Sequence, residues 1–122
     1  MVRVEHVLRG IDNVGVVFGK CIHVYGSGYK KTPGRLGGLF LFSARKVVAV
    51  KKLKKKTYTG LLLKTPLNHR RRNGHLVRFP LHGFATFHAA DVYKGTTVRG
   101  PLPREFRFSR FTDITQLTIK QI

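Results

Sequence analysis

Acidic residues are scarce: five in 122, Glu5, Asp12, Asp91, Glu105 and Asp113, scattered along the chain. Hydrolysis by a carboxylate pair and two-metal nuclease chemistry both need acids that converge, and no context here gathers them. Glu105 reads more simply as a salt-bridge partner for a neighbouring arginine, and Asp12 as a turn or cap residue. Tryptophan is absent and Cys21 is the single cysteine. One thiol excludes an intrachain disulfide and a cysteine-rich zinc site, and without a nucleophile motif around it the default is a buried, inert side chain in a reducing compartment. No apolar stretch approaches the roughly 18 residues of a membrane-spanning helix. The run 36–42 falls far short. The opening residues 1–8 alternate like a strand and carry neither a secretory apolar region nor an Arg- and Ser-rich amphipathic leader.

What the chain has in excess is positive charge. Twenty-four Lys and Arg give a formal net charge of +19 at 13.8 kDa. Self-repulsion of that size disfavours a compact state unless a polyanion neutralises it, which points to nucleic acid as the partner. Hydrophobic residues still make up 42%, with nine Phe and four Tyr. That is too apolar for a disordered basic tail and enough for one modest core, so a single domain over 1–122 is expected.

Val2, Val4, His6 and Leu8 share one parity, a half-buried strand pattern, and 12–15 (Asp-Asn-Val-Gly) carry turn chemistry. A longer strand is expected over 16–25, with Ile22 and Val24 on the face opposite Cys21, His23 and Tyr25. Residues 26–34 hold three glycines, a proline and two lysines and read as a surface loop. Segments 36–42 and 47–50 are apolar on both parities and interrupted by 43–46, as in a strand buried on both faces or bent at a barrel corner. Strand character returns over 57–65, around Leu61, Leu62 and Leu63, and stops at Pro66. Asn73-Gly74, a favoured hairpin dipeptide, sits beside Arg70, Arg71 and Arg72, and alternation resumes over 76–79. One more short strand at 84–88 precedes a looser stretch at 89–95. Pro103 suits a first helical position, so a short helix near 103–110 is expected; the segment 111–122 is compatible with a helical turn or with extension. Short strands joined by Gly, Pro and Asn turns suggest a small closed barrel.

His69, His75, His82 and His88 recur at spacings of six or seven, which match neither a helical zinc pair nor a finger module. The glycines complete no Walker or dinucleotide pattern, so neither a metal nor a cofactor is expected. The block 51–56 taken alone could be a solvated face, a localisation signal or an anchor on anionic lipid. Three basic clusters (Lys30-Lys31, 51–56 and 70–72) nevertheless fall at turns of one β domain, with Arg78, Arg99, Arg104, Arg107 and Arg110 beyond them. Loops on a rigid barrel can present such charges to the phosphates of a folded RNA. Duplex reading is disfavoured because no helix carries a groove-reading constellation.

The order of motifs, 12–15 (Asp-Asn-Val-Gly), 21–24 (Cys-Ile-His-Val), 60–63 (Gly-Leu-Leu-Leu), Asn73-Gly74 with 77–79 (Val-Arg-Phe), and Gly100-Pro101 with 104–106 (Arg-Glu-Phe), resembles the universal large-subunit ribosomal protein fourteen family. The resemblance runs nearly without gaps from Met1 to Ile122. It implies a mainly β fold: a small closed five-stranded antiparallel barrel with a protruding basic ribbon, barrel and basic loops over about 1–100, and short C-terminal helices over about 101–122. It also implies a structural, non-catalytic part of the large ribosomal subunit. The partners implied are large-subunit rRNA, small-subunit rRNA at an intersubunit bridge, neighbouring large-subunit proteins and a silencing factor that blocks subunit joining; no membrane is implied.

On that resemblance the rRNA-contacting candidates are Tyr29, Lys30, Lys31, Arg35, Arg45, Lys46, Lys51, Lys52, Lys54, Lys55, Lys56, Arg70, Arg71, Arg72 and Arg78. Thr96, Thr97, Arg99, Arg104 and Arg107 are the candidates for bridge or protein contacts. The chain departs from the family pattern at Gly37-Gly38, where Gly-Asp is usual, near Gly60, where an acid is usual, and at Thr97 and Gln116. Loss of acids and drift at signature positions suggest a fast-changing lineage. An organellar, mitochondrial form encoded without a leader is the reading, with a divergent bacterial protein as the alternative. Outside the family, a free barrel binding single strands would stack bases on Tyr25, Tyr29, Tyr58 or Phe79.

Overall fold

β-Branched and aromatic residues form much of the strands, and among the described turns those at 11–15 and 71–75 carry a glycine with positive φ. The computed structural model describes residues 3–25, 36–48, 57–89, 92–93, 97–108, 114 and 116–118. Its strands are β1 (Val7–Gly10), β2 (Val16–Val24), β3 (Leu39–Val47), β4 (Thr57–Lys64), β5 (His69–Arg70), β6 (Leu76–Val77), β7 (Gly83–Ala89) and β8 (Val92–Tyr93). A five-residue 3-10 helix follows at Arg104–Phe108.

Strands β1, β2, β3, β4 and β7 are neighbours in that order, and β1 returns to β7, so five strands close a barrel. The closing pair, Arg9 with Gly83 and Gly10 with Phe84, is parallel. The expected antiparallel barrel is therefore mixed, for a geometric reason: five strands that alternate in direction cannot close without one pair running the same way. β8 folds back along the far end of β7 within 89–95, and β5 and β6 form a separate two-stranded hairpin. The ribbon expected around 51–56 lies outside the described residues.

Two apolar clusters share β4 and β7. Inside the barrel, Leu8, Val16, Cys21, Val24, Phe40, Phe42, Tyr58, Leu62 and Phe84 pack together. On the outer face, Leu61, Leu63, Ala85 and Phe87 are covered by Val98, Leu102, Phe106 and Ile114 from the C-terminal segment. Burial on both faces explains the unbroken Leu61, Leu62, Leu63 run, since neither parity meets water. Burying a side chain such as Leu61 or Leu102 stabilises the fold by about 2 kcal/mol. The barrel is small enough that two glycines are needed for its rings. A Cβ on Gly19 would lie 2.6 Å from the Phe42 ring, and one on Gly60 would lie 2.8 Å from that of Phe40.

Several local expectations change. The first strand starts only at Val7, because 4–5 form a turn in which Glu5 takes a left-handed φ of 74° and its amide donates to the Cys21 carbonyl. In β2 the register slips between Cys21 and His23, so Ile22 is an inserted residue. Such a bulge resets the alternation, leaving Cys21 and Val24 both buried while Ile22 and His23 face solvent. β3 runs straight through 43–46, and register shifts opposite Val16, Phe18 and Gly19 bend the sheet there. The expected C-terminal helix near 103–110 is the 3-10 helix alone. Among the described residues beyond it, the Leu117 amide donates to the Ile114 carbonyl in one helical turn.

A candidate nucleic-acid interface

The hairpin β5–β6 pairs His69 with Val77 and Arg70 with Leu76. Its turn is fixed by backbone chemistry. The Arg71 amide donates to the His75 carbonyl at 2.8 Å, the Gly74 amide to the Arg71 carbonyl at 3.0 Å, and the His75 amide to Asn73 Oδ1 at 3.0 Å. Gly74 takes a φ of +88°, the left-handed conformation glycine accepts without penalty, which is why Asn-Gly stands here. The three arginines are thereby held on a rigid tip.

Arg71 turns back toward the 3-10 helix and forms an ion pair with Glu105, its Nη2 also donating to Oε2 at 3.5 Å. Its side chain is only 11% exposed. The partner of Glu105 is thus thirty-four positions away in sequence rather than a neighbouring arginine. This pair ties the hairpin to the C-terminal segment, and between them lies a cleft of about 590 Å³ lined by His69, Arg70, Arg71, Arg72, Asn73, Arg104 and Glu105. With Arg71 and Glu105 neutralising each other, Arg70, Arg72 and Arg104 remain exposed on its walls. Guanidinium groups arranged this way suit phosphate oxygens, which they bind in bidentate fashion.

A family model described as ribosomal protein L14p/L23e matches residues 1–122. The chain belongs to that family. Membership makes it a structural constituent of the ribosome rather than a catalyst.

Of the other RNA-contact candidates, Arg45 and Lys46 are exposed at the end of β3 and Arg78 is exposed just after β6. Tyr29, Lys30, Lys31, Arg35, Lys51, Lys52, Lys54, Lys55, Lys56 and Thr96 lie outside the described residues, and Arg107 is described only as part of the 3-10 helix. Thr97 and Arg99 are both exposed and firmly held: the Thr97 amide donates to Asn13 Oδ1 at 3.3 Å, and the Arg99 amide to the Ile11 carbonyl at 2.7 Å. Between them, Val98 bridges Asp12.

Asp12 carries more of this arrangement than its turn position suggested. Its Oδ2 accepts from the buried Thr86 amide at 2.6 Å and its Oδ1 from the Val14 amide at 3.4 Å. The carboxylate thereby occupies the edge of β7 between the stretch paired with β1 and the stretch paired with β8. Burial pushes its pKa up, against the opposing effect of the two amides.

The stacking platforms of the free-barrel alternative fare unevenly. Tyr25 is 47% exposed, with His23 edge-on to its ring at 5.4 Å, whereas Tyr58 and Phe79 are buried in the core. Tyr29 lies outside the described residues. Nothing in the sequence marked His69 and Asn73 as cleft neighbours, because the two-residue strand holding His69 leaves no periodicity to reveal its face and Asn73 lies in the turn.

Proposed function

We propose that this protein is a structural component of the large ribosomal subunit that binds large-subunit rRNA through basic turns carried on a rigid barrel. The observation that carries the reading is the cleft walled by Arg70, Arg72 and Arg104 beside a neutralised Arg71–Glu105 pair, in a chain of the ribosomal L14p/L23e family. The lysine block 51–56, Tyr29, Lys30, Lys31 and Arg35 are further rRNA contacts on this reading, and Arg45, Lys46 and Arg78 are exposed charges available to the same partner. Thr96, Thr97, Arg99, Arg104 and Arg107 contribute contacts to neighbouring ribosomal proteins and to small-subunit rRNA at an intersubunit bridge; the rigid attachment of 97–99 to the turn 11–13 supports that role. A silencing factor would meet the same stretch, altered here at Thr97. The compartment is the mitochondrial matrix, with the bacterial cytoplasm as the alternative.

The experiment is a salt titration of the full chain with a large-subunit rRNA fragment, comparing wild type with the triple variant Arg70→Gln, Arg72→Gln, Arg104→Gln. Each lost phosphate contact flattens the slope of log K against log salt by roughly 0.7–0.9, so the triple change lowers it by about 2–3. An unchanged slope removes the cleft from the interface. Sedimentation of native extract checks the setting: co-migration with large subunits is expected, and a low-mass peak alone would reject the assignment.

A further inference from the structure

We propose that a second recess, at the seam where β1 meets β7, seats one unstacked nucleotide of RNA, with its base against an aliphatic wall and its phosphate among Arg9, Lys64 and Arg99. This deepens the RNA-binding reading and rests on it, but uses none of the residues of the Arg70–Arg72 cleft.

The recess holds about 400 Å³, within the roughly 300–1,000 Å³ range of sites for small organic ligands. It opens where the barrel is most weakly sealed, since only two residue pairs join β1 to β7. Ile11, Phe79, Leu81 and Pro101 supply apolar lining, and Leu81 is 60% exposed. An exposed leucine beside an apolar wall leaves surface that a partner can cover. The lining is also cationic: Arg9 and Arg99 are exposed, and among the described residues no carboxylate lines the recess.

Lys64 is shaped into this space. It is half-buried, its Nζ donates to the Arg99 carbonyl at 3.1 Å, and it lies 5.9 Å from the centre of the Phe79 ring. Gly100, in a left-handed φ of +76°, makes the space: a Cβ there would stand 2.6 Å from Nζ. Burial lowers the Lys64 pKa, as expected for an ammonium held among apolar neighbours. An anion entering the recess would relieve that cost.

A ligand that matches both kinds of lining must join a flat apolar body to a strong anion. A nucleotide does so, and arginine planes both stack on bases and grip phosphates. A peptide pairing an aliphatic anchor with a carboxylate is the competing occupant. Charge over the whole chain favours the nucleotide: an acidic peptide calls for one local patch, whereas 24 basic residues against five acids match a partner with a phosphate at every step.

The test is a titration of the isotope-labelled full chain with adenosine 5′-monophosphate, adenosine, inorganic phosphate and a short Leu-Asp peptide, read by amide shifts. The nucleotide is expected to shift Gly83, Arg99 and Gly100 saturably, about tenfold more tightly than adenosine or phosphate alone. Arg9→Gln and Lys64→Gln each weaken it by about tenfold, while Ile22→Thr, at an exposed position outside both recesses, leaves it unchanged. Leu81→Asp alters a surface position, keeps the native amide dispersion and abolishes binding. Equal binding of phosphate alone, tighter binding of the peptide, or no saturable shift overturns the proposal. Loss of the salt-slope effect at the other cleft, with nucleotide shifts intact, would instead fault the broader reading.

Discussion

Replacing Gly19 with alanine tests whether the barrel interior is as tightly filled as the coordinates describe. In an open strand this change removes backbone entropy from the unfolded chain and stabilises by about 0.5–1 kcal/mol. At Gly19 the new methyl would sit 2.6 Å from Phe42 Cδ2, 3.1 Å from Phe84 Cζ and 3.2 Å from Phe42 Cε2. Ordinary contact begins near 3.4 Å, so the Phe42 ring must retreat by about 0.8 Å. It has nowhere to go. Phe42 is fully buried, its ring centre is 4.6 Å from that of Phe84, and Phe40 and Tyr58 close its other sides at 5.8 Å and 6.1 Å. Overpacking of this kind costs about 1–3 kcal/mol, and a ring this closely enclosed belongs in the upper half of that range, leaving a net loss of about 1–2.5 kcal/mol after the backbone gain. For a chain of this length the melting temperature falls by roughly 4–10 °C. Thermal and urea unfolding of the full chain measure it, and Phe42→Leu supplies the control. If the clash is the cause, the double variant loses about 1 kcal/mol less than the two single losses added together. An alanine variant as stable as wild type, or strict additivity with Phe42→Leu, would refute the tight-barrel account.

Three further outcomes follow from the buried groups Asp12 and Cys21. Asp12→Ala leaves the Thr86 amide without its acceptor and lowers stability by about 1–3 kcal/mol in urea unfolding. Because burial raises the Asp12 pKa above 3.8, the folded state favours its protonated form, so its contribution is greatest below pH 3.8 and declines as pH rises through the folded-state value. The stability of wild type relative to Asp12→Asn therefore falls across that window, and a difference that stays flat or grows with pH contradicts the assignment. Cys21 is 1% exposed and burial raises its thiol pKa. Labelling by a maleimide at neutral pH should follow the fraction unfolded as urea is raised, and rapid labelling of the native chain would show the barrel wall to be open at β2.

Much of the fold was legible because it depends on alternation and on turn residues, which are local. Asn73-Gly74 marks a hairpin whose glycine takes a left-handed φ, and the Leu61, Leu62, Leu63 run marks a strand with no wet face. The errors share a cause. Val24 was expected on the face opposite Cys21 yet shares the core with it, because the bulge at Ile22 is created by pairing with β3, and parity within β2 alone cannot reveal it. Residues 1–8 alternate like a strand, yet the chain turns through Glu5, whose left-handed φ breaks the extended backbone although 5–6 still hydrogen-bond to Cys21 of β2. Tyr58 and Phe79 were indistinguishable from Tyr25 as exposed platforms, since burial depends on which neighbours arrive from elsewhere.

The candidate cleft divides along the same line. Arg70 and Arg72 could be singled out from the cluster itself, and positive charge in excess of any internal need already named a polyanion as the partner. That Arg71 is consumed by Glu105, that Arg104 joins the same wall, and that Arg9, Lys64 and Arg99 surround a different recess are matters of contact across long chain separations. By itself, the amino-acid order determined that this protein is strongly cationic and mainly β, and where the Asn73-Gly74 hairpin turn lies. Only closure of the barrel decided which cations share the second recess, because it sets β1 beside β7, in a pair that five alternating strands must make parallel, and brings residues far apart in the chain to one seam.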